Sequence, residues 1–353
     1  MLNSDVVLIQ ADTLRNYCSK LFQKAGLPED DAYRNADNLV DADLKGVESH
    51  GVSRMPIYLK RLRMGLVNPV AQVKVVTESP GTAVCDACNS MGAVAAYRIM
   101  EMAINKARNT GISFITVCNS NHYSAAGYFA QMALKQDMIG FTASNGPARM
   151  APWGGTEPMF GTSPLAFAIP AGKEMPIIGD MASCVVARGK IILAAKKGQP
   201  IPLGWARNKL GEDTTNAQDA LDGTVLPFAG PKGYAIATMI EVFTGILAGS
   251  VFTTGIKDMY ADFENPTCTS HYFGAINVGA FGSVADFKES MDKFIRSAKE
   301  NPKAKGVEEI FLPGEIELRL KMKRMEAGIP FGRITLDELK HESELSGVTY
   351  DLE

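Results

Sequence analysis

Two short polar segments hold the side chains best suited to acid–base chemistry. Ser49-His50-Gly51-Val52-Ser53-Arg54 places an imidazole, two hydroxyls and a guanidinium side by side where one helical pattern ends and another begins. Imidazole titrates nearest neutrality, and a guanidinium holds a carboxylate through two parallel hydrogen bonds. Together they can orient a carboxylate-bearing substrate and pass a proton to its carbonyl oxygen. The same spacing suits a plainer role, in which Ser49 or Ser53 caps the third helix and His50 fills a gap. The second segment, Asn119-Ser120-Asn121-His122-Tyr123-Ser124-Ala125-Ala126-Gly127, follows an apolar run and opens a helix, where α/β folds expose polar groups at a strand's end. His122 is a second candidate acid or base, with Tyr123 or Ser124 as a hydrogen-bond donor. An N-cap cluster of Asn and Ser explains the same residues.

Other stretches suit ligand binding. Met150 to Pro164 is punctuated by glycine and proline, which lets backbone approach a ligand closely, and a plain Ω-loop accounts for it equally. Pro231-Lys232-Gly233 opens a long apolar helix, where a lysine is unfavourable unless an anion compensates it. A phosphate or carboxylate is the expected partner of Lys232. Asp180 ends an apolar run before Met181-Ala182-Ser183, either accepting from a ribose hydroxyl or capping a helix that starts at Cys184. Cys85-Asp86-Ala87-Cys88 has redox spacing but lies in a strand context, and no second Cys or His pair stands at ligand spacing. Neither redox chemistry nor a metal is expected. No Gly-x-Gly-x-x-Gly follows a predicted strand and no P-loop pattern occurs, which argues against ordinary Rossmann and P-loop sites.

The elements that must position these groups are legible as periodicity. Leu14, Tyr17, Cys18, Leu21 and Phe22 predict a first helix ended by Gly26. Ala36, Leu39, Val40 and Leu44 mark a second ended by Gly46, and a third runs from about Ser53 to Met64. Alternation around Val73 to Cys85, broken by Ser79-Pro80-Gly81, predicts a hairpin. Helices are then expected at 91–108, 125–135, 184–197, from 233, at 284–298, 314–326 and 335–345, with strands at 112–117, 139–143, 165–169 and 271–278. Residues 198–230 lack periodicity and are too long for an idle loop. Ile236 to Val251 carries Glu241 and two glycines, so it reads as a buried helix instead of a membrane span.

Composition narrows the class. The chain has 353 residues, 36 basic and 39 acidic, for a net charge of −3, which disfavours nucleic acid as a partner. A content of 46% apolar and 21% charged residues is that of a globular protein able to fold unaided. The first 25 residues lack a basic region followed by an apolar one, and six scattered cysteines are too few for a disulfide framework. A cytoplasmic location without membrane contact is expected.

Taken in order, Glu48 to Arg54 with Tyr58, Gly65 to Pro69, Ser120-Asn121-His122 with Ala126-Gly127, Ala151 to Gly155, Gly161 to Pro164, Gly179 to Ala182, Gly204 to Ala206, Leu226-Pro227, Lys232-Gly233-Tyr234 and Leu312 to Glu315 resemble the malate/L-lactate dehydrogenase family. That family is unrelated in fold to the Rossmann lactate and malate dehydrogenases and includes ureidoglycolate, sulfolactate and diketogulonate oxidoreductases.

The resemblance implies an α/β (α+β) fold: a non-Rossmann nicotinamide-binding α/β domain at 71–299 and a helical domain from residues 1–70 with 300–353. It implies a homodimeric, NAD- or NADP-dependent enzyme acting on a small carboxylate, transferring hydride to or from C2 of a 2-oxo or 2-hydroxy acid. By position, His50 and His122 match catalytic histidines, Arg54 a carboxylate clamp and Ser49 a supporting group. Ile177, Ile178, Gly179, Asp180, Met181, Ala182, Ser183, Pro231, Lys232, Gly314 and Glu315 match cofactor positions, with Ser144 and Asn145 near another; Tyr58, Thr162 and Ser163 are expected at the substrate. Ser163 stands where the family usually has Asn, which removes an amide that could bond a second carboxylate or amide of the substrate, and Asn208 stands where an Asp is common. Reduction of a cyclic imino acid is the alternative chemistry, and a dimeric binding protein without catalysis the alternative class.

Overall fold

The computed structural model describes residues 6–70 and 72–352. In chain order the strands are β1 (Val6–Ile9), β2 (Lys74–Glu78), β3 (Thr82–Asp86), β4 (Ile112–Ser120), β5 (Met138–Ser144), β6 (Leu165–Ile169), β7 (Ile177–Met181), β8 (Ala206–Arg207), β9 (Asp213–Thr214), β10 (Thr224–Val225), β11 (Thr269–Asn277) and β12 (Ile329–Gly332). The helices are α1 (Ala11–Lys24), α2 (Glu29–Leu44), α3 (Met55–Arg63), α4 (Gly92–Thr110), α5 (Ala126–Ala130), α6 (Arg188–Lys196), α7 (Ala217–Asp222), α8 (Pro231–Glu241), α9 (Val284–Lys299), α10 (Glu315–Ala327) and α11 (Arg333–Ser346). The class is mixed α/β, as the sequence implied.

Seven strands make one sheet in the order β2-β3-β4-β11-β5-β6-β7, antiparallel except where β3 runs beside β4. The late strand β11 fills the centre because its side chains suit two buried faces. Phe273 and Ala275 join Ile99, Ala103 and Ile115 on the α4 side, while Tyr272 joins Ala143 and Ile240 on the α8 side. Successive strand residues point to opposite faces, which produces this division. At Gly274 a Cβ would lie 2.1 Å from the Phe141 ring, so only glycine fits there.

A second core joins Leu14, Phe22, Leu39 and Leu59 to Leu336 and Leu339, bringing α1, α2, α3 and α11 together. The two-stranded ladder β1–β12 ties the chain's beginning to its end. Periodicity had shown only helices in these regions, because a four-residue strand has too few positions to display alternation. A third cluster, with Met150, Phe160, Ile191, Ala206 and Ala237, organises the aperiodic stretch around the small sheet β10-β8-β9.

Four expectations need correction. The strand predicted at 112–117 continues to Ser120, where pairing with Thr269 carries it to the threshold of His122. The helix predicted at 125–135 is the short α5 followed by a 3₁₀ turn, Gln131–Gln136. The helix predicted from Cys184 begins at Arg188, because Cys184 instead bridges to Pro227. Asp180 therefore does not cap it. Finally, the segment 236–251 is not fully buried: α8 passes into a π-helical turn, Val242–Ile246, whose inner face lies on the sheet, while Met239, Val242, Ile246 and Leu247 remain exposed. The sheet covers one side only, and nothing else among the described residues covers the other.

Candidate active site

The first polar segment is shaped by a carboxylate the sequence did not flag. After α2 the chain makes two 3₁₀ turns, Glu48–His50 and Val52–Arg54, before α3. Asp43 Oδ2, on the last turn of α2, accepts the Val52 N–H at 2.8 Å and occupies the space beside Gly51. A Cβ at Gly51 would lie 1.9 Å from Asp43 Oδ1. Burial pushes the Asp43 carboxyl up to about 8, opposed by the Val52 N–H and reinforced by Glu48. The tight turn then aims its side chains outward. Ser49 Oγ meets His50 Nδ1 at 3.0 Å, and Arg54 Nε donates to the Ser49 carbonyl at 2.6 Å. Neither serine caps α3; Ser53 Oγ donates to the Glu48 carbonyl at 2.7 Å. The capping alternative is thereby removed.

The second segment closes on the first. The rings of His50 and His122 stack with centroids 5.6 Å apart and planes 30° from parallel. Ser124, at a positive φ of 65°, sends its Oγ to the His50 carbonyl at 2.5 Å and tethers the two segments. The Ser124 N–H meets His122 Nδ1 at 3.3 Å, and the Tyr58 hydroxyl meets the same nitrogen at 2.5 Å. An N–H can only donate, so Nδ1 is the acceptor and Nε2 carries the ring proton. Tyr58, expected at the substrate, thus orients His122. Tyr123, considered as a donor, is a core residue stacked between Phe129 at 5.2 Å and His271 at 4.4 Å. The N-cap reading also fails, since α5 has no side-chain cap and Asn121 Nδ2 donates to the Ser90 carbonyl at 2.9 Å.

The electrostatics keep both imidazoles neutral. Burial, then the Arg54 charge, pushes His50 down to about 4. Burial, followed by Arg54, His50 and His271, holds His122 well below its ordinary value. Both residues nevertheless retain part of their surface exposed. Burial raises the Tyr58 hydroxyl, which therefore keeps its proton. Arg54 Nη1 donates to the Tyr260 hydroxyl, and its Cζ lies 5.5 Å from that ring's centroid. Tyr260 sits in an aperiodic loop, so no sequence signal marked it. His271 is a different kind of histidine: fully buried, it bonds Ser144 Oγ at 2.8 Å and Ser120 Oγ at 3.0 Å, and burial lowers it to about 3.

Of the residues matched to cofactor positions, 177–181 form the edge strand β7 and 314 packs on it, while Ser144 and Asn145 lie at the end of the interior strand β5. The Ile178 N–H donates to the Pro313 carbonyl at 3.0 Å, and at Gly314, with φ 83°, a Cβ would lie 2.5 Å from the Ile178 carbonyl. Asp180 Oδ2 accepts the Gly127 N–H at 2.7 Å, linking β7 to the helix that follows His122. Crowding raises the Asp180 carboxyl, opposed by that N–H, while the side chain keeps solvent contact. Ser183 accepts the Phe228 N–H on its carbonyl at 3.0 Å and lies against Gly233, which places Pro231-Lys232 beside it. Met181 and Lys232 are exposed and Ile177 is buried. Asn145 Oδ1 accepts the Ser270 N–H at 2.8 Å, and its buried amide faces the Glu241 carboxylate, whose burial-raised pKa it opposes. The Ser144 hydroxyl is engaged by His271, and Glu315 by Lys299, Arg319 and the Leu312 N–H. Thr162 and Ser163 are not brought against the histidines: the Thr162 carbonyl accepts from Ser183, and buried Ser163 points to the Gly161 carbonyl at 3.3 Å. All six cysteines are free, and no group of metal-ligating side chains occurs among the described residues.

The fold and this site define a non-Rossmann α/β chain with two facing imidazoles beside a guanidinium. Residues 9–340 match the malate/L-lactate dehydrogenase family. The chain is 40% identical to the L-sulfolactate dehydrogenase of Methanocaldococcus jannaschii over 95% of its length and 96% of that protein. It is 37% identical to the malate dehydrogenase of Pyrococcus abyssi, over 98% and 97% of the two chains. The solved structure of the sulfolactate dehydrogenase from M. jannaschii superposes with a TM-score of 0.91 at 39% identity, covering 97% of this chain and 98% of that one. The chain belongs to the malate/L-lactate dehydrogenase family.

Proposed function

We propose that the chain transfers hydride between NAD or NADP and C2 of a small 2-oxo or 2-hydroxy acid of the malate, lactate or sulfolactate type. The stacking of His50 on His122 at 5.6 Å, with Arg54 beside both, is the observation that carries this reading. A guanidinium has five N–H donors. Arg54 uses Nε–H for the Ser49 carbonyl and one Nη1–H for Tyr260, which leaves the far edge of its fork for the C1 carboxylate. His122 offers its Nε2–H to the substrate oxygen, its ring held by Tyr58 and Ser124. His50, whose Nδ1 meets a hydroxyl able to donate or accept, can take either tautomer, so the two rings form an acid–base pair. A carboxylate bound at Arg54 offsets the positive charge that adds to burial in holding both rings unprotonated, so substrate binding favours uptake of the proton that reduction consumes.

The nicotinamide cofactor supplies or accepts the hydride at C4 when bound. The strip of residues beside β7 fits such a group. Asp180 and Lys232 keep solvent contact beside it, and Gly314 places no side chain over it. Asp180 has Oδ1 available for a ribose hydroxyl, Lys232 at the first turn of α8 suits a phosphate, and Ile177 to Ser183 form the floor. Glu315, already engaged, would contribute through its backbone.

A homodimer is part of the proposal. The exposed apolar face of α8 and its π turn, Met239, Val242, Ile246 and Leu247, is the surface a second copy would cover. Cytoplasmic residence completes it; no helix among the described residues is long and apolar enough to cross a membrane. The deciding experiment is an assay of pyruvate, oxaloacetate, sulfopyruvate and piperideine-2-carboxylate with NADH and NADPH. Turnover of at least one oxo acid supports the reading. Turnover of the imine alone would replace it with imino acid reduction, and cofactor binding without any turnover would leave a binding protein.

A further inference from the structure

Arg61, on α3, is a guanidinium buried to 2% exposure with no carboxylate within ion-pair distance among the described residues. Its Nη1 donates to the carbonyls of Asp262 at 2.6 Å and Met259 at 3.3 Å, and Nη2 to that of Asn265 at 2.8 Å. Nε is buried without a partner. The neighbouring Asp262 carboxylate turns instead to the N–H groups of Glu264 at 3.0 Å and Asn265 at 2.8 Å, closing its own loop. Burying a charge on carbonyls alone is expensive, so the loop it gathers must have a defined place to be. The other flank is pinned as well: Asp258 pairs with Arg149, and its Oδ1 accepts the Tyr260 N–H at 2.7 Å. Between these two anchors stands Tyr260, half exposed, whose hydroxyl receives a hydrogen bond from Arg54.

We infer that Arg61 is a positioning residue for substrate binding: it fixes the loop 259–265 so that Tyr260 holds the Arg54 fork in the orientation that accepts a carboxylate. The inference rests on the proposed role of Arg54. It assigns a specific consequence to a side chain that touches neither substrate nor cofactor. Lysine at this position keeps the charge but loses the planar fork that reaches three carbonyls at once. Loosening the loop should therefore weaken capture of the oxo acid while leaving the proposed dinucleotide residues, none of which hydrogen-bonds this loop among the described residues, unaffected.

The test is steady-state kinetics on the full chain as Arg61→Lys, Tyr260→Phe and the double variant, with thermal unfolding measured alongside. Arg61→Lys should raise KM for the oxo acid about tenfold with kcat and the NAD(P)H KM changed less than about twofold. In the Tyr260→Phe background the same change should add less than about twofold, since coupled residues are not additive. If Arg61→Lys does not fold, Asp262→Ala loosens the same loop from its exposed side and should produce the same KM-only effect. Independent, multiplying effects of Arg61→Lys and Tyr260→Phe, or a fall in Tm with KM unmoved, would overturn the inference. A wild-type protein that binds NADH yet reduces no oxo acid would instead overturn the proposed function, so the two failures are distinct.

Discussion

His50 and His122 face one another ring to ring, 5.6 Å between centroids, although one sits in a turn between helices and the other at the end of a central strand. Two devices produce this meeting. The Asp43 carboxylate folds the first turn onto itself, and the Ser124 hydroxyl ties the second segment to the His50 carbonyl. Arg54 lies close enough to add to burial in depressing both imidazoles, which stay neutral beside its charge.

Removing the guanidinium should separate substrate binding from cofactor binding. Arg54→Ala is expected to raise KM for the oxo acid by about 10²-fold, the order of a lost charge-assisted pair. NAD(P)H affinity, read by fluorescence, should stay within about twofold. An unchanged KM would take Arg54 out of the site.

Truncating the ring that carries the Nε2 proton should strike turnover. His122→Ala is expected to lower kcat by about 10² to 10⁴, the range of general acid–base effects. Tyr58→Phe retains the ring and the Ser124 N–H contact but loses one bond to Nδ1, so its kcat should fall by only about tenfold. A Tyr58→Phe loss as large as that of His122→Ala would show that the hydroxyl itself takes part in proton transfer.

The turn that presents His50 has no room for a methyl group. Gly51→Ala drives a Cβ into the Asp43 carboxylate, so the 3₁₀ turns must open. Activity should fall at least about 10²-fold, because displacing catalytic groups by about 1 Å has that effect. Far-ultraviolet circular dichroism should be preserved, since α2 and α3 do not depend on this turn. Full activity in the variant would mean that the turn geometry is dispensable.

Stability should fall with acid through the buried histidines. His271 titrates at about 3 in the fold against an ordinary 6.5, and His50 at about 4. Between these limits the unfolded chain binds more protons, so stability is lost as pH falls from 6.5 toward 3. Asp43, raised from 3.8 to about 8, acts oppositely: its contribution is full below 3.8 and is lost as pH rises from there to 8, so it offsets part of the gain from the several lowered histidines. The urea midpoint should therefore increase from pH 5 to pH 7, and less steeply in His271→Gln. Equal slopes in the two proteins would contradict the assignment to His271.

Much of the helical frame was readable because helices such as α2 and α4 repeat their apolar residues over several turns. The central strand β11 was also visible as an apolar run, yet its place between β4 and β5 was not, because strand order depends on contacts across the whole chain. Both histidine segments stood out by polarity against periodic surroundings. Their convergence came from family resemblance, since no local spacing states that residues 50 and 122 meet. Asp43, Arg61 and Tyr260 were invisible for a different reason: an acid on a helix, an arginine on another and a tyrosine in an aperiodic loop carry no motif, and their roles exist only in the fold. The apolar length of the segment 236–251 suggested burial, but length alone does not say that one side stays exposed.

The most direct test of the account is a single-turnover reaction of the protein with an oxo acid and NADH or NADPH carrying deuterium at the transferring C4 position, with the product analysed by mass spectrometry. One deuterium at C2 of the resulting hydroxy acid is predicted, with transfer slowed by both Arg54→Ala and His122→Ala. Product free of deuterium, or labelled equally fast by both variants, would contradict it.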